Sequence, residues 1–307
     1  MKILVTGSNG LVGQAIRRVY DQNTEIVFAT REDADLTDFV QAKALFEKVR
    51  PTHVLHAAAK VAGIGGNMSH PGEYFRDNLL INVNTLEAAR LTRVSKLLTF
   101  LSTCIYPDKA EYPLKAEVLH LGPPHPSNFG YAHAKRMIDV QSRAYRKEWG
   151  CNFITVVGTN LYGPNDNFSL ENGHVLPSLI HKCYLAKKDD TDFNIWGSGA
   201  ALREFVLSDD IGRLALWALM NYEEESPLML TSGIETSIKE LALLVAKKMG
   251  FKGNVVFDTT KSDGQLRKPS DPTKMREYLP DFMFTSVEQG VEETVNWFMT
   301  NYPNVRK

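Results

Sequence analysis

The segment VTGSNGLVG, residues 5–13, joins a short apolar run to an amphipathic pattern and spaces Gly7, Gly10 and Gly13 as GxxGxxG. Glycines at this spacing let the backbone turn sharply, approach a pyrophosphate closely and pack the following helix against the strand. The positive end of the helix dipole then faces the phosphates. The segment therefore predicts a dinucleotide-binding strand–loop–helix unit, for which a simple tight turn is the alternative interpretation.

The rest of the first half repeats this alternation of strand and helix. Apolar runs too short for helices lie at residues 3–5, 25–29, 53–58, 97–101 and 153–157. Helical patterns lie between them at residues 11–20, 39–49, 78–91 and 131–149. Repeated strand–helix units are typical of a parallel sheet covered by helices on both faces. We therefore predict an α/β fold with a Rossmann-like, doubly wound parallel sheet.

After about residue 160 the regular alternation ends, although further elements are predicted. Residues 162–167 have the composition of a loop; helices are predicted at 175–186, 209–222, 237–249 and 287–302, and strands at 195–199 and 254–257. We predict a cofactor-binding Rossmann domain over residues 1–162, to which residues 205–233 return. A smaller α+β C-terminal lobe, residues 163–204 and 234–307, is expected to bind the substrate.

Composition and charge narrow the class of protein. The 307 residues are 43% hydrophobic and 23% charged, as in ordinary domains with a sizeable core. The formal net charge is −1 and the basic residues are scattered, so nothing favours a nucleic-acid or membrane partner. The N-terminal apolar run is too short for a signal peptide. The sparse cysteines have no zinc-ligand spacing, so we expect no metal, free thiols and a cytoplasmic protein: Cys104, Cys151 and Cys183.

The residues after the second strand indicate which dinucleotide would bind. An acidic side chain there would hold the ribose 2′-hydroxyl of NAD, and a cation would accept the 2′-phosphate of NADP. Arg31 comes first and the acids Glu32 and Asp33 follow, which favours NADP(H); a solvated surface arginine is the alternative. Asp35 and Leu36 would lie near the adenine. Small residues after the third strand would form the wall beside the cofactor: Ala57, Ala58 and Ala59.

The segment GYAHAKRM places Tyr131 and Lys135 four residues apart, on one face of a predicted helix. A tyrosine exchanges protons near neutral pH only when its phenolate is stabilised. A lysine one turn away, together with the nicotinamide charge, would lower the tyrosine pKa enough for proton transfer. Such pairs also arise by chance, so this one gains weight only beside the glycine loop and Ser102, which ends the fourth strand.

This combination resembles the extended short-chain dehydrogenase/reductase superfamily. The resemblance implies that Ser102 orients a substrate carbonyl, Tyr131 transfers the proton and Lys135 also holds the nicotinamide ribose. Within the superfamily, related dehydratases carry an acidic pair just after the serine, whereas this sequence has Cys104. That pattern is similar to the GDP-L-fucose synthase family, and the similarity covers the segments LSTCIYPDK, GPPHPSNFGYAHAKRMIDVQ, GTNLYGPNDNF, GHVLP and VFDTTKSDGQLRKPSD.

The family resemblance implies a bifunctional reaction on GDP-4-keto-6-deoxy-D-mannose. The C4 ketone of this sugar acidifies the protons on C3 and C5. Cys104 would remove those protons and His174 would return them on the other face, since thiol and imidazole both titrate near neutral pH. Ser102 and Thr103 would donate hydrogen bonds to the enolate oxygen. NADPH would then reduce C4, with Tyr131 as the proton donor.

The complete set of expected cofactor contacts is Gly7, Asn9, Gly10, Leu11, Val12, Gly13, Arg31, Asp35, Leu36, Ala57, Ala58, Ala59, Tyr131, Lys135, Gly158, Asn160, Leu161 and His174. The GDP-sugar contacts implied by the resemblance are Ser102, Thr103, Cys104, Asn160, Val175, Lys182, Trp196, Arg203 and Lys268. Two cofactor positions differ from the family pattern, because Gly158 stands where relatives commonly have proline and Asn9 where some have a basic residue.

Three points stay open at this stage. Trp196 would offer a flat surface to the substrate, or else would be a core tryptophan of the small lobe. Asp271 would bind guanine or a structural lysine. The resemblance also implies a homodimer that packs residues 78–91 and 138–149 of each subunit into a four-helix bundle.

Two other functions compete with the bifunctional enzyme. The first is a nucleotide-sugar 4-epimerase or dehydratase that retains NAD; Arg31 and Cys104 disfavour it. The second is a non-catalytic protein that senses NADPH. A sensor has no need of a proton donor, so the set Ser102, Tyr131 and Lys135 disfavours that interpretation.

Overall fold

The computed structural model describes residues 1–61 and 63–307 of the chain. Six of the strands form one parallel sheet, in the spatial order β2-β1-β3-β4-β5-β9. From β1 the chain first adds β2 on one side and then β3, β4 and β5 on the other, so the strand order reverses between β1 and β3. Sheets of this type bind ligands in the crevice at the carboxyl ends of the two strands where the order reverses. The described strands are β1 (Lys2–Thr6), β2 (Glu25–Ala29), β3 (His53–His56), β4 (Lys96–Ser102), β5 (Phe153–Gly158), β6 (Asn160–Tyr162), β7 (Phe193–Trp196), β8 (Leu202–Leu207), β9 (Leu228–Leu230), β10 (Glu235–Ser237) and β11 (Val255–Asp258).

Helices connect most of these strands. The predicted helices over residues 11–20, 39–49, 78–91 and 131–149 are all present, although the third begins earlier, at a proline in its first turn. The described helices are α1 (Leu11–Val19), α2 (Phe39–Val49), α3 (Ile64–Ser69), α4 (Pro71–Leu91), α5 (Phe129–Trp149), α6 (Val175–Asp189), α7 (Ser208–Asn221), α8 (Ile238–Met249), α9 (Thr273–Tyr278) and α10 (Val287–Asn301).

The sheet is buried on both faces, which confirms the predicted doubly wound, Rossmann-like fold. Alternate residues of β1 point into different clusters, as the two-residue period of a strand requires. Ile3 and Val5 pack with Ile16 of α1 and with α7. Leu4 packs on the opposite face with Phe46 of α2 and with α4.

The glycine loop lies directly against the end of β3. Gly7 has φ +70°, and a Cβ there would lie 2.6 Å from the backbone nitrogen of Ala58. A Cβ on Gly13 would lie 2.4 Å from the Cα of Ser8. Both positions therefore exclude a side chain, and the loop forms a close backbone cradle at the start of α1.

The second half of the chain builds a separate cluster of buried residues between α6, α8 and α10, which includes Phe168, Ile180 and Phe298. A three-stranded sheet in the order β10-β8-β6 and a parallel pair of β11 and β7 accompany it. The helices predicted here are confirmed to within three residues at each end. The strands predicted at 195–199 and 254–257 are present as β7 and β11, with bounds that differ by at most three residues. The strands β6, β8, β9 and β10 and the helix α9 were not predicted, because so short a segment often shows no clear hydrophobic period.

One side chain joins the cofactor helix to this second half. Arg18 of α1 donates to the Asn165 side chain at 2.8 Å and forms an ion pair with Asp209 at 2.6 Å. Asn165 belongs to the loop that leads to α6, and Asp209 to the first turn of α7. Within the described ranges, the chain has no helix that is both long and apolar enough to cross a membrane.

We expect Gly13→Ala to lower the free energy of unfolding of the cofactor-free protein by about 1–3 kcal/mol, the usual cost of overpacking. Urea unfolding followed by circular dichroism measures this change. Gly72→Ala is the matched control, because a Cβ at that helical position would meet no atom within 4 Å. Its stability should be unchanged or slightly higher, and equal losses in both variants would contradict the close-packed loop.

Candidate active site

A buried ammonium fastens α5 to the end of β4. Lys135 is only 3% exposed, and its Nζ donates a hydrogen bond to the carbonyl of Phe100 at 3.1 Å. Burial lowers the pKa of Lys135 to about 8, although the nearby Cys104 acts in the opposite direction. The bond fixes one face of α5 against the strand that carries Ser102.

Tyr131 lies one turn before Lys135 and is 9% exposed. Burial raises the pKa of its phenol, and the neighbouring Cys104 raises it further. Loss of hydration dominates the pKa of this phenol in the protein itself, and the Lys135 ammonium is bonded to the Phe100 carbonyl. The phenol therefore holds its proton and is suited to act as a donor. The lowering of the tyrosine pKa by Lys135 together with the nicotinamide charge stays a prediction.

The thiol occupies a tight turn where β4 ends. Ser102 is the last residue of the strand, and its Oγ accepts a weak hydrogen bond from the Cys104 backbone N–H at 3.4 Å. Thr103 is buried, whereas Cys104 is only partly so. Burial raises the pKa of the Cys104 thiol, and the cations Lys268 and Lys135 oppose that effect. The thiol thus interacts electrostatically with Tyr131, Lys135 and Lys268.

A second cation extends the site into the C-terminal half. Burial lowers the pKa of Lys268, with Cys104 and Asp108 acting against that shift and Arg203 adding to it. Arg203 donates to the carbonyl of Gln265 at 2.6 Å and to that of Leu202. Lys268 therefore interacts electrostatically with both the thiol of Cys104 and the guanidinium of Arg203.

A cavity of about 580 Å³ opens beside these cations. That volume lies in the usual range for small-molecule sites. Asp108 connects it electrostatically to Lys268, and Gln265 connects it to Arg203. Its wall is formed by Asp108, Tyr112, His125, Ser262, Gly264, Gln265, Leu266 and Arg267.

Trp196 is 67% exposed, so the alternative of a core tryptophan is wrong. It lies at the end of the short strand β7, where the alternating burial pattern turns it outward. The Nζ of Lys182 lies 4.7 Å from the centre of its ring, a cation–π contact. Burial lowers the pKa of Lys182. These two predicted substrate contacts therefore lie together.

His174 belongs to the loop that leads into α6. It precedes the first residue of α6, Val175, and its carbonyl accepts from the N–H of Ser178 at 3.1 Å. Surrounding protein lowers the pKa of its imidazole, and the charge of Arg306 lowers it further, although the residue remains open to solvent. Within residues 1–61 and 63–307, no hydrogen bond or ion pair joins His174 to Cys104.

Several of the expected cofactor residues lie at the carboxyl ends of the parallel strands or in the loop before α1. Arg31 is 85% exposed and forms a 3.2 Å ion pair with Asp35, so its guanidinium lies just beyond the end of β2. Asn160 donates to the carbonyl of Glu204 at 3.0 Å, which ties β6 to β8. Gly158 ends β5 with ordinary space for a side chain beside Leu161. Asn9 is exposed in the loop, and Leu11 and Val12 begin α1.

Asp271 has a local structural role. Its carboxylate accepts from the backbone N–H and the hydroxyl of Thr273, while Lys115 lies 3.9 Å away. Of the two roles considered for Asp271, these contacts favour the structural one, at the start of α9.

Comparison with known proteins supports one family. The sequence profile of the NAD dependent epimerase/dehydratase family matches residues 3–229. A GDP-L-fucose synthase from Dictyostelium discoideum is 47% identical over 311 residues, 99% of this chain and 97% of that protein. The crystal structure of a GDP-L-fucose synthetase from Naegleria fowleri bound to NADP has a TM-score of 0.95 and 44% identity, over 99% of this chain and 94% of that one.

The chain belongs to the GDP-L-fucose synthase family.

A probable GDP-L-fucose synthase from Drosophila melanogaster is 42% identical and covers the whole of this chain and 99% of that protein. The likeness extends over both halves of the chain. By contrast, a UDP-glucose 4-epimerase from Thermus thermophilus is 23% identical and shares the fold alone.

Sequence reasoning missed a residue beside Lys135. Arg136 is buried, and its guanidinium donates to the carbonyls of Ile105 and Gly122. The segment GYAHAKRM contains it, but no spacing rule distinguishes a buried arginine from a surface one. Only the tertiary position of the turn at Cys104 reveals its contacts.

The buried ammonium yields a test of pH and stability together. The folded-state pKa of Lys135, about 8, lies below the ordinary lysine value, so its charge costs stability below pH 8 and the cost disappears as the pH rises above the unfolded pKa. We expect Lys135→Met to raise the free energy of unfolding at pH 7 by about 1 kcal/mol, because removal of the buried charge outweighs the loss of its hydrogen bond.

Urea unfolding of both proteins at neutral and alkaline pH measures the difference, which should shrink as the pH rises. Lys147→Met is the matched control, since Lys147 lies exposed on the same helix. A Lys135→Met variant that is less stable than wild type at pH 7 would contradict a stability cost of the buried ammonium. So would a stability difference from wild type that does not depend on pH.

Proposed function

We propose that this chain is an NADPH-dependent enzyme that converts GDP-4-keto-6-deoxy-D-mannose to GDP-L-fucose, by epimerisation at C3 and C5 and reduction at C4. The main observation is that Cys104 shares one site with Tyr131 and Lys135. One site can therefore support both the removal of a proton from carbon and the reduction of a carbonyl. Membership of the GDP-L-fucose synthase family supports the proposal and disfavours an NAD-retaining epimerase or a sensor.

The chain fits an NADP cofactor. The cradle at Gly7 and Gly13 leaves no room for side chains and presents the start of α1, as a pyrophosphate requires. Arg31 would hold the 2′-phosphate, Asp35 and Leu36 would border the adenine, and Ala57–Ala59 would line the nicotinamide side. NADPH supplies, when bound, the hydride for the C4 ketone. Lys135 would hold the ribose and keep α5 against β4.

The GDP part of the substrate would occupy the cavity beside Lys268 and Arg203. Both cations would offset the diphosphate charge, and Arg203 is already held by the Gln265 carbonyl of the cavity wall. Trp196 and Lys182 form an exposed aromatic–cation pair on the same lobe. The sugar would then extend past Lys268 toward Cys104, Ser102 and Tyr131.

The proposed reaction requires a sequence of proton movements. Cys104 must lose its own proton before it can remove those on C3 and C5, and the positive charges of Lys268 and Lys135 favour that ionised form. Ser102 and Thr103 would donate hydrogen bonds to the enolate oxygen. Tyr131, which keeps its proton in the buried site, would deliver it to the C4 oxygen during reduction.

His174 is the proposed acid that returns protons to the opposite face. It directly precedes α6, and within the described residues no hydrogen bond joins it to the thiol. The loop before it is tied to the sheet side, because the N–H of Gly63 donates to the carbonyl of Asn172 at 3.0 Å. The sugar ring would therefore lie between His174 and Cys104.

The domain division, the location and the oligomer complete the proposal. Residues 1–162 with 205–233 form the cofactor domain, which is supported by β9 pairing with β5 and by α7 packing on the sheet. Three cysteines that form no disulfide are compatible with the reducing cytoplasm. The homodimer would pack α4 and α5, whose exposed apolar side chains include Phe75, Leu80, Val83, Met137 and Val140.

Two substitutions separate the half-reactions. We expect Cys104→Ser to lower deuterium incorporation at C3 and C5 by about a hundredfold or more, because the general base is lost. Tyr131→Phe should lower reduction by a similar factor while exchange with solvent continues. Mass spectrometry of the product formed in heavy water, with NADPH absorbance followed in parallel, measures both steps.

The matched control is Cys151→Ser, another partly buried thiol that packs with α4 and α5 side chains away from the cleft. Wild-type protein that leaves both NADPH and the ketosugar unchanged would exclude the proposed activity. Equal exchange in Cys104→Ser and wild type would leave the thiol without a role.

The cofactor preference gives a further test. We expect Arg31→Ala to weaken NADPH binding about tenfold through loss of a charge-assisted phosphate contact. NADH lacks the 2′-phosphate, so its binding should change little. Calorimetric titration with both dinucleotides measures the ratio, and equal weakening for the two would show that Arg31 does not contact the phosphate.

A further inference from the structure

Arg136 has unusual partners for a buried guanidinium. It is 6% exposed and follows Lys135 on α5. Its Nε donates to the carbonyl of Ile105 at 2.8 Å, its Nη2 donates to the same oxygen, and its Nη1 donates to the carbonyl of Gly122 at 2.8 Å. No carboxylate in the described part of the chain pairs with it. The guanidinium is therefore hydrogen-bonded to two neutral carbonyls and to no acid.

The first of these carbonyls belongs to the turn that carries the thiol. Ile105 directly follows Cys104, and the turn is closed by a bond from the Tyr106 N–H to the Thr103 carbonyl at 3.2 Å. Arg136 and Ser102 thus hold the cysteine from both sides, because Ser102 Oγ accepts from the Cys104 N–H. A two-pronged bond to one carbonyl limits rotation of the turn.

The second carbonyl closes the segment that leaves this turn. The chain departs at Ile105 and returns at Gly122, and the return is reinforced by a bond from the Asp108 N–H to the Pro123 carbonyl at 2.9 Å. Asp108 and Tyr112 within this excursion line the cavity. One guanidinium therefore connects the thiol turn to the cavity wall.

Charge adds to this geometry. Burial lowers the pKa of the Arg136 guanidinium, and the nearby Cys104 acts against that shift. The other groups that face Cys104 are Tyr131 and Lys135 from α5, Lys268 from the segment before α9, and Ser102 from β4. Since no acid pairs with Arg136, its charge is not cancelled locally.

We propose that Arg136 is a positioning residue for Cys104, which aims the sulfur at the sugar site and keeps a fixed cation beside the thiolate. The inference rests on the proposed base role of Cys104. It differs from the role of Lys135, because the Lys135 ammonium binds the strand before the turn and Arg136 binds the turn itself.

The test uses Arg136→Gln, Arg136→Lys and the matched control Arg146→Gln. Arg146 lies on the same helix and donates to the Asn152 side chain and the Glu223 carbonyl, remote from the turn. The first readout is the pH dependence of iodoacetamide alkylation of Cys104 in substrate-free protein, identified by peptide mass spectrometry. The second is deuterium incorporation at C3 and C5 with the full enzyme.

For Arg136→Gln we expect the alkylation midpoint to move to higher pH and exchange to fall about tenfold to a hundredfold, the usual cost of a misplaced reacting group. Arg136→Lys keeps the charge and loses the two-pronged hydrogen bond to the Ile105 carbonyl. Its alkylation midpoint should therefore stay near the wild-type value, while deuterium exchange at C3 and C5 still falls. Arg146→Gln should leave both unchanged.

A folded Arg136→Gln variant with wild-type midpoint and exchange would overturn the proposal. If circular dichroism shows that this variant does not fold, Arg136→Lys decides: wild-type exchange overturns the positioning role and reduced exchange supports it. A shifted alkylation midpoint in Arg136→Gln, together with a wild-type enzyme that lacks epimerase activity, would support the coupling of arginine to thiol and remove only the proposed reaction.

Discussion

The hydrogen bond from the buried Lys135 ammonium to the Phe100 carbonyl sets the geometry of the site. It fixes the rotation and height of α5 against β4. Tyr131 and Arg136 follow on the same helix, so the bond also determines where the phenol and the guanidinium meet the end of the strand. The Ser102–Ile105 turn begins two residues beyond that carbonyl, which explains why the thiol lies among α5 side chains.

Desolvation dominates the electrostatics of this cleft. The phenol of Tyr131 and the thiol of Cys104 both have raised pKa values through burial, whereas the pKa values of Lys135, Arg136 and Lys268 are lowered for the same reason. The thiol of Cys104 thus interacts electrostatically with three cations. A negative charge that forms on sulfur or on a sugar oxygen would be compensated by groups already in place, and the folded protein carries the cost of burying them.

The sequence predicted the features that depend on local patterns. The glycine cradle, the strands β1 to β5, the helices between them and the YxxxK pair follow from spacing and hydrophobic period. The strand β9 and the three-stranded sheet around β8 were missed, because segments such as Leu228–Leu230 are too short to show a period. Arg136 was missed for another reason, since its partners are backbone carbonyls brought near only by the tertiary fold.

Trp196 has a practical consequence that follows from its exposure. An indole that projects into solvent beside a single ammonium has fluorescence that responds to whatever covers it. The other tryptophans, Trp149, Trp217 and Trp297, lie on helices away from the cations of the site. The native chain therefore carries an intrinsic optical reporter on its C-terminal lobe, and occupancy of that surface can be followed by emission without a label.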